Sequence, residues 1–434
     1  MKKSMITGTF FLSIIFTLAT NAFATNGDNL IGVGPVSRSM GGVGIAQPQD
    51  AVSSIFSNPA TMVNDDISKS TEFDFAGTVF MPRVKASVER TSGTVQADSS
   101  NSIFSIPAIG LNTPVSKNLK DLRFGIAAYG VTGLGVDYRG TALDNSSAYD
   151  FGGGMTAPLV QGEYTQLQIM KFAPSLAYRI NDMFSAGAAV QIDYSTLDLR
   201  HGSSSAYGLG VNLGVVIKPV APISIGLTYT TPQNVNYRKV IDFEAPEGSL
   251  DSLKLESPQE FGAGVAYTNA NLLNLLIEGD IKLLQWSRAD GYKDFDWNDQ
   301  WVYSIGVKIE PIKRLSLRAG YNYAKNPLKN HDGFDGSFNP MTGMPNSVND
   351  VQGHMLPTYY YETFRIIGFP AIVENHLTLG VGYSFSDTFT LNVGWMHAFE
   401  KTINESGTDL FGQPVTLSST LVEDSLDFGL TWNF

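Results

Sequence analysis

The feature that most constrains this chain is alternation: apolar side chains at every second position, in one segment after another. Near the C-terminus Leu426, Phe428, Leu430, Trp432 and Phe434 alternate with Asp427, Gly429, Thr431 and Asn433. The same pattern runs through Leu315–Tyr323, Leu377–Phe385, Phe389–Trp395, Phe184–Tyr194 and Trp301–Ile309. Successive side chains of a strand point to opposite faces, so each segment has one greasy face and one small or polar face. A sandwich strand can alternate too, but it rarely stays apolar up to the last residue of a chain. No stretch approaches ~18 consecutive apolar residues, so no helix is long and apolar enough to cross a membrane. Charged residues make up 16% of the chain, against 43 glycines, 26 phenylalanines and 18 tyrosines. That balance suits a wall with one face in lipid. The other face is Gly, Ser or Thr with scattered charges, which fits a filled or narrow lumen better than a wide water channel.

The connections fall into two kinds. Short turns are expected around Lys117-Asn118, Asn181-Asp182, Lys218-Pro219, Asn269–Asn271, Glu310-Pro311 and Ser386-Asp387. Longer polar loops are expected near 82–104, 139–162, 200–206, 234–252, 288–299, 330–374 and 402–420. The two kinds alternate, as they do in outer-membrane barrels with short periplasmic turns and long outer loops. Thirteen connections join fourteen strands, placed at about 71–81, 103–115, 120–138, 163–180, 182–199, 206–218, 222–233, 253–269, 272–287, 300–310, 314–329, 375–386, 388–401 and 419–434. The expected fold is all-β: a transmembrane antiparallel β-barrel of fourteen strands. Barrel diameter grows with strand number, so such a barrel encloses a cavity and leaks solutes unless something fills it.

Lys2 and Lys3, the apolar run Phe10–Ala19 and Ala22-Phe23-Ala24 make a secretory signal, with cleavage after Ala24 and a mature chain from Thr25. The apolar run is short of the ~20 residues of a spanning helix. There are no cysteines, hence no disulfide or thiol chemistry, which fits a bacterial envelope. A net charge of −12 argues against nucleic acid as a partner. The histidines, His201, His331, His354, His376 and His397, show no metal-ligand spacing, so no metal is expected. There is no Walker loop, no complete G-x-G-x-x-G and no G-x-S-x-G. No cofactor, no catalytic residue and no enzyme activity are expected.

Between Gly32 and Val63 the chain reads GVGPVSRSMGGVGIAQPQDAVSSIFSNPATMV, rich in small residues and without a sustained period of 2 or 3.6. The terminal Phe resembles the C-terminal signature of bacterial outer-membrane barrels, and the signal, this segment and the fourteen-strand count together resemble the FadL/TodX family of outer-membrane transporters of hydrophobic compounds. The resemblance spans essentially the whole mature chain. Its most specific motif is Asn58-Pro59-Ala60, which matches the family's hatch motif in kind and in distance from the mature N-terminus. Trp286-Ser287, RAGYNYAKNPL (Arg318–Leu328) and FPAIVENHLTLGVGY (Phe369–Tyr383) add to it. The resemblance implies a signal peptide 1–24, an N-terminal plug or hatch 25–66 inside the lumen, and a barrel 67–434 in the bacterial outer membrane. It implies capture of cargo on the outer loops, a site inside the barrel touching the mature N-terminus, and sideways exit at a kinked third strand. Isolated glycines in a strand suggest a bulge or bend, which points to Tyr129, Gly130, Val131, Thr132 and Gly133. Small residues there could equally let the plug pack closely. The mature start Thr25-Asn26-Gly27-Asp28-Asn29-Leu30 departs from better-known members, which begin with Gly and an aromatic residue.

The implied partners are a hydrophobic small molecule, outer-membrane lipid and lipopolysaccharide, and the barrel-assembly machinery. A monomer is expected, since exit through the wall wants a free flank. Long-chain fatty acid is the first expectation for cargo, with aromatic or aliphatic hydrocarbon as the alternative. A fatty acid needs a greasy pocket and a cation for its carboxylate. Alternation turns Arg123, Lys282, Lys308 and Arg318 into the lumen, with Glu278, Asp280 and Glu310 nearby, and the same groups could simply fix the plug by ion pairs. The long loop 330–374 carries Tyr359, Tyr360, Tyr361 and Phe364, too aromatic for a disordered segment. It is either a landing surface for cargo or a folded lid. Two rivals remain open: a structural or adhesive barrel that transports nothing, and a porin for polar solutes.

Overall fold

The structure, a computed structural model, describes residues 25–63, 70–116, 118–242 and 250–434. The expected signal peptide 1–24 and the end of the expected plug, 64–66, lie outside the described residues. Fourteen antiparallel strands close into a barrel. They are β1 Glu72–Arg90, β2 Phe104–Ser116, β3 Leu119–Asp137, β4 Tyr164–Arg179, β5 Phe184–Asp198, β6 Ser203–Val220 and β7 Ile223–Thr230. The second half is β8 Glu260–Asn269, β9 Leu275–Leu284, β10 Gln300–Ile312, β11 Leu315–Ala324, β12 Asn375–Ser384, β13 Phe389–Thr408 and β14 Pro414–Asn433. Each strand pairs with its neighbours in sequence, and β14 returns to β1 along its length, from Val415↔Arg90 to Asn433↔Glu72. Closure leaves no free outer strand, which a bilayer demands because lipid offers no partner for a free N–H or C=O. The apolar members of the alternating sets, such as Leu377, Leu379, Val381 and Tyr383, point outward, while Arg318 and Asn322 point inward and are buried.

Three stretches depart from the sequence expectation. β13 and β14 continue above the lipid through the expected loop 402–420 and meet in a tight turn at Asp409–Gln413. Their polar outer side chains, Thr402 and Ser406 among them, face Thr420 and Thr416 across the pair. They face water rather than lipid, so composition alone read them as a loop. β1 likewise runs on to Arg90, and Gly93–Asp98 folds back on it. Residues 253–257, expected in the eighth strand, pair with Gln233–Ile241 in a separate hairpin. The barrel strand starts only at Glu260, past Pro258, whose missing N–H cannot serve a ladder.

Residues 25–63 occupy the lumen. Thr25–Leu30 form a small hairpin, Pro35–Arg38 a single turn of helix (α1), Ala51–Ser57 a short helix (α2) and Pro59–Val63 a tighter turn. Asp50 caps α2: Ser53 N–H donates to Asp50 Oδ1 at 2.7 Å, and Asp50 N–H donates to Ser53 Oγ at 3.1 Å. The inward glycines of the wall explain the small-residue face seen in the sequence. A Cβ on Gly214 would stand 1.8 Å from Asn58 Oδ1, and one on Gly226 would stand 1.9 Å from the Ile45 carbonyl. The lumen is filled to contact, and only glycine leaves room for it. Above the barrel, residues 325–374 form a lid that includes Thr358–Thr363 (α3) and a wider helical turn over Phe364–Gly368.

Candidate functional site

Among the described residues the ladder of the wall is interrupted between β2 and β3. The β2–β3 ladder runs up to Ala108↔Tyr129 and pairs no residues above that. Next in β2 comes Pro107, which has no N–H to donate. On its other side β3 keeps pairing with β4, but Gly130 pairs with Met170 and Thr132 with Ile169, so Val131 is an extra residue. This is a β-bulge, which bends a strand and re-aims its side chains. The in–out alternation of β3 fails there: Tyr129, Gly130, Val131 and Thr132 are all buried. Contact resumes higher up, where Ser100 N–H donates to the Asp137 carbonyl at 2.8 Å and Asp137 N–H to Ser99 Oγ at 2.9 Å. Side chains of β2 lie across the break. A Cβ on Gly130 would meet Ile106 Cγ2 at 2.5 Å, and one on Gly133 would meet Phe104 Cδ1 at 3.8 Å.

Inside the break lies a small cavity. Its wall includes Val131, Asn26, Asn29 and Leu30 of the N-terminal hairpin, Phe56 of α2, and Lys282 of β9. The Lys282 ammonium sits 5.6 Å from the centre of the Phe56 ring, and its field acts on the carboxyls of Glu260, which lines the same cavity, and Asp280. Lys171 also faces this space, but its ammonium is held by Asp193 at 2.9 Å and by Gln233. Phe56 stands edge-on to Tyr129 at 5.5 Å, so the plug helix touches the bent strand directly. A narrower space lies on the other side of the hairpin, between Thr25, Asp28, Gly133–Val136 and Glu423.

The other lumen cations stand elsewhere. Arg123 is buried and donates to Asn112 Oδ1 at 2.7 Å and to the Ser70 carbonyl at 2.9 Å, which ties the wall below the plug. Lys308 and Arg318 are cross-strand partners, with Lys308 3.9 Å from Glu310. None of the three lines the inner cavity. Glu278 and Asp280 hold the plug. Gly44 and Ile45 N–H donate to Asp280 Oδ2 at 3.0 and 3.2 Å, and Ala46 and Gln47 N–H to Glu278 Oε1 at 2.7 and 3.1 Å. In the hatch motif, the Asn58 side-chain amide donates to the carbonyls of Ile45 at 2.7 Å and Val215 at 3.2 Å, while Ala60 N–H donates to Asn58 Oδ1 at 3.0 Å. One side chain thus joins two parts of the plug to the wall, with Pro59 and Ala60 against Gly187.

Tyr359, Tyr360, Tyr361 and Phe364 are buried, so they do not form an outward landing surface. The reason is packing: α3 turns them toward neighbouring loops, and the hydroxyls of Tyr359, Tyr360 and Tyr361 donate to the carbonyls of Leu159, Pro158 and Asp294. Phe364 alone of the four lines an outer cavity, together with Leu143, Val160, Leu199 and Ile241. His331 and Glu362 of the lid also meet Glu405 of β13. The Arg365 guanidinium lies among them, 3.0 Å from His331 Nδ1 and 3.2 Å from Glu405 Oε2. The cluster is an ion-pair knot.

Sequence reasoning placed a polar loop near 288–299 between β9 and β10 but missed its contact with the N-terminal hairpin. Trp286, Tyr292 and Trp297 form a three-ring cluster with centres 4.6 to 5.2 Å apart. Trp286 covers Gly27, whose added Cβ would stand 2.9 Å from Trp286 Cζ2. The Tyr292 hydroxyl donates to Asp28 Oδ2. Burial pushes the Asp28 carboxyl up to about 6, with the Tyr292 hydrogen bond opposing. The three aromatics among polar residues were the available signal.

A profile of the family described as outer membrane protein transport protein (OMPP1/FadL/TodX) matches residues 15–239, more than half of the 434-residue chain. The chain belongs to this family. No curated protein matches it. Among solved structures, the toluene transporter TodX of P. putida is 17% identical, covers 93% of this chain and 99% of its own, and superposes with a TM-score of 0.63. The toluene transporter TbuX of Ralstonia pickettii is 15% identical over 93% of this chain and 98% of its own, with a TM-score of 0.63. A FadL homologue of Pseudomonas aeruginosa is 13% identical over 96% and 99%, with a TM-score of 0.62. At these identities the likeness is one of fold. As a FadL/TodX member the protein is an outer-membrane β-barrel of a family that transports hydrophobic compounds, not an enzyme.

Proposed function

We propose that this FadL/TodX member lets hydrophobic small molecules cross the outer membrane passively, with long-chain fatty acids as the principal cargo. The mature chain starts at Thr25, and the barrel acts as a monomer with a free flank at β3. Cargo enters the outer cavity beside Phe364, passes to the inner cavity and leaves between β2 and β3 at Tyr129–Gly133. The driving force is the gradient together with apolar transfer, about 25 cal/mol per Å² of surface leaving water. The observation that carries the reading is Val131. The same residue is the bulge at the wall break and part of the inner cavity wall. Lys282, a cation on the cavity wall, supports a carboxylate head group, with the tail along Leu30, Phe56 and Val131. An aromatic hydrocarbon is the second reading, favoured by those apolar side chains, which need no charge on their ligand.

Uptake of labelled oleate and toluene by cells lacking other such transporters tests the proposal. Gly130→Val with Gly133→Val fills the break and abolishes uptake of both. Lys282→Met lowers oleate uptake about tenfold, the weight of one charge-assisted hydrogen bond, and spares toluene. Toluene uptake alone keeps the route and changes the cargo. Uptake of neither compound by the wild type, with no lipid co-purifying, overturns the transporter reading in favour of an adhesive barrel.

A further inference from the structure

We propose that the loop 285–299 couples the outer cavity to the N-terminal hairpin, so that the state of the lid sets how firmly Gly27 and Asp28 are held beside the wall break. The inference rests on the transport route just proposed and adds a control to it. The chain of contacts is short and continuous. Phe364 lines the outer cavity and packs on Phe295 with ring centres 5.0 Å apart. Phe295 also stacks on Tyr361 at 5.7 Å, and its carbonyl accepts from Arg365 Nε at 2.9 Å. Within the loop, Phe295 and Tyr292 share one tight turn: Phe295 N–H and Trp297 N–H both donate to the Tyr292 carbonyl, at 3.2 and 3.1 Å. Tyr292 then reaches Asp28, and Trp286 covers Gly27.

The far end of this chain matters because of where the hairpin sits. Asn26, Asn29 and Leu30 face the inner cavity, while Thr25 and Asp28 face the space beside Gly133–Val136. The hairpin is therefore the partition between the cavity and the upper part of the break. Gly27 has φ +63°, the left-handed region, and the hairpin turns there. A lid that shifts Phe364 moves Phe295, and a rigid turn carries the shift to Tyr292. A packed contact of this kind has discrete arrangements rather than a continuum, which is what coupling between sites requires. Tyr292 and Phe295 are positioning residues: they act on the partition and need not touch the cargo.

The chain has no cysteine, so Asn29→Cys supplies a single reporter thiol in the full-length folded protein. Its labelling by a water-soluble maleimide is measured in detergent with no cargo present. Tyr292→Phe is expected to speed labelling about tenfold through loss of one hydrogen bond to a carboxylate. Phe364→Ala, which touches no residue of the hairpin, is expected to speed it too, and the double variant no further than Tyr292→Phe alone. Phe364→Leu serves if the alanine variant fails to fold, and a heat-modifiable band on a gel reports folding for each. Labelling at the wild-type rate in folded Phe364 variants overturns the coupling, as does full additivity in the double variant. Neither outcome depends on uptake, so a failed transport assay and a failed coupling remain distinguishable.

Discussion

Two neighbouring parts of the same lumen are held in different ways. From Gly32 to Val63 the contents of the barrel are tied to the wall along their length by buried charges and backbone donors. Arg38 Nε pairs with Asp427 at 2.8 Å and its Nη2 donates to Ser425 at 2.8 Å. Gly41 N–H reaches Thr378 at 2.9 Å, Ala51 N–H reaches Asp74 at 2.6 Å, and the Asn112 amide reaches the Met62 carbonyl at 3.1 Å. Glycines of the wall remove any slack between them. From Thr25 to Leu30 the bonds are fewer and come largely from side chains: Thr25 Oγ1 to Glu423 at 3.2 Å, and Tyr292 to Asp28. A loop above the lipid supplies part of that hold. The difference assigns the parts different tasks. On the proposed transport route, the first would seal the barrel and the second would be the piece that moves without opening a hole.

The largest effect should come from the firmest tie. Arg38 and Asp427 are 0% and 1% exposed. Arg38→Ala leaves Asp427 buried and unpaired, a loss of about 3–5 kcal/mol for such pairs. We expect the variant to show ion conductance in planar bilayers, where the wild type is nearly silent, and to unfold at a lower temperature. A folded variant as silent as the wild type would show that the pair does not hold the seal.

An intermediate effect is expected at Asp280. Asp280→Asn keeps an acceptor oxygen for Gly44 and Ile45 but removes its charge, which weakens two charge-assisted bonds by about 1 kcal/mol in all. Occasional conductance events, fewer than for Arg38→Ala, are the expected reading. Equal leak from the two variants would dissolve the ranking of ties along the plug.

How much of this was legible in the sequence differs between the same two regions. The wall was legible because lipid imposes one rule on every strand, and Leu315–Tyr323 or Leu377–Phe385 obey it without exception. The rule lapses above the lipid, which is why the tops of β13 and β14 read as a loop. The glycine-rich bend at Gly130–Gly133 was visible as composition. Its other half, Pro107 on the facing strand, was not, because pairing between strands is a property of the fold. The Asp50–Ser53 cap was present as a spacing but overlooked, since α2 is too short to show a period. The inward turn of Lys282 followed from alternation. That Lys282 lines a cavity, while Arg123 serves the wall, depends on which plug residue stands opposite each. Tyr359–Tyr361 and Phe364 show the same limit: aromatic content marks a folded loop but not the side it buries. Nothing local ties Tyr292 to Asp28, since the two are 264 positions apart.

The smallest effect, and the sharpest test of the looser region, is one of pH. Burial raises the Asp28 carboxyl to about 6 in the closed hairpin, whereas a solvated aspartate titrates near ~3.9. The groups around it are Tyr292, Lys171 and Glu260, with Glu423 and Tyr237 close by. A raised acid pKa means that the closed form favours the protonated side chain. Its extra stability is complete below the solvated value and is lost as pH rises through about 6. Labelling of Asn29→Cys, referred to a free thiol peptide at each pH, should therefore quicken a few-fold from pH 5 to pH 7. Asp28→Asn should flatten that step and leave the slower, acid-like rate throughout. A thiol placed at Ser54, inside α2, is the comparison; burial also raises the carboxyl of Asp50, which caps that helix, so a step there that survives Asp28→Asn belongs to Asp50. A step at Ser54 that Asp28→Asn removes would mean that the hairpin and the plug loosen as one body, and the division between seal and partition would fail.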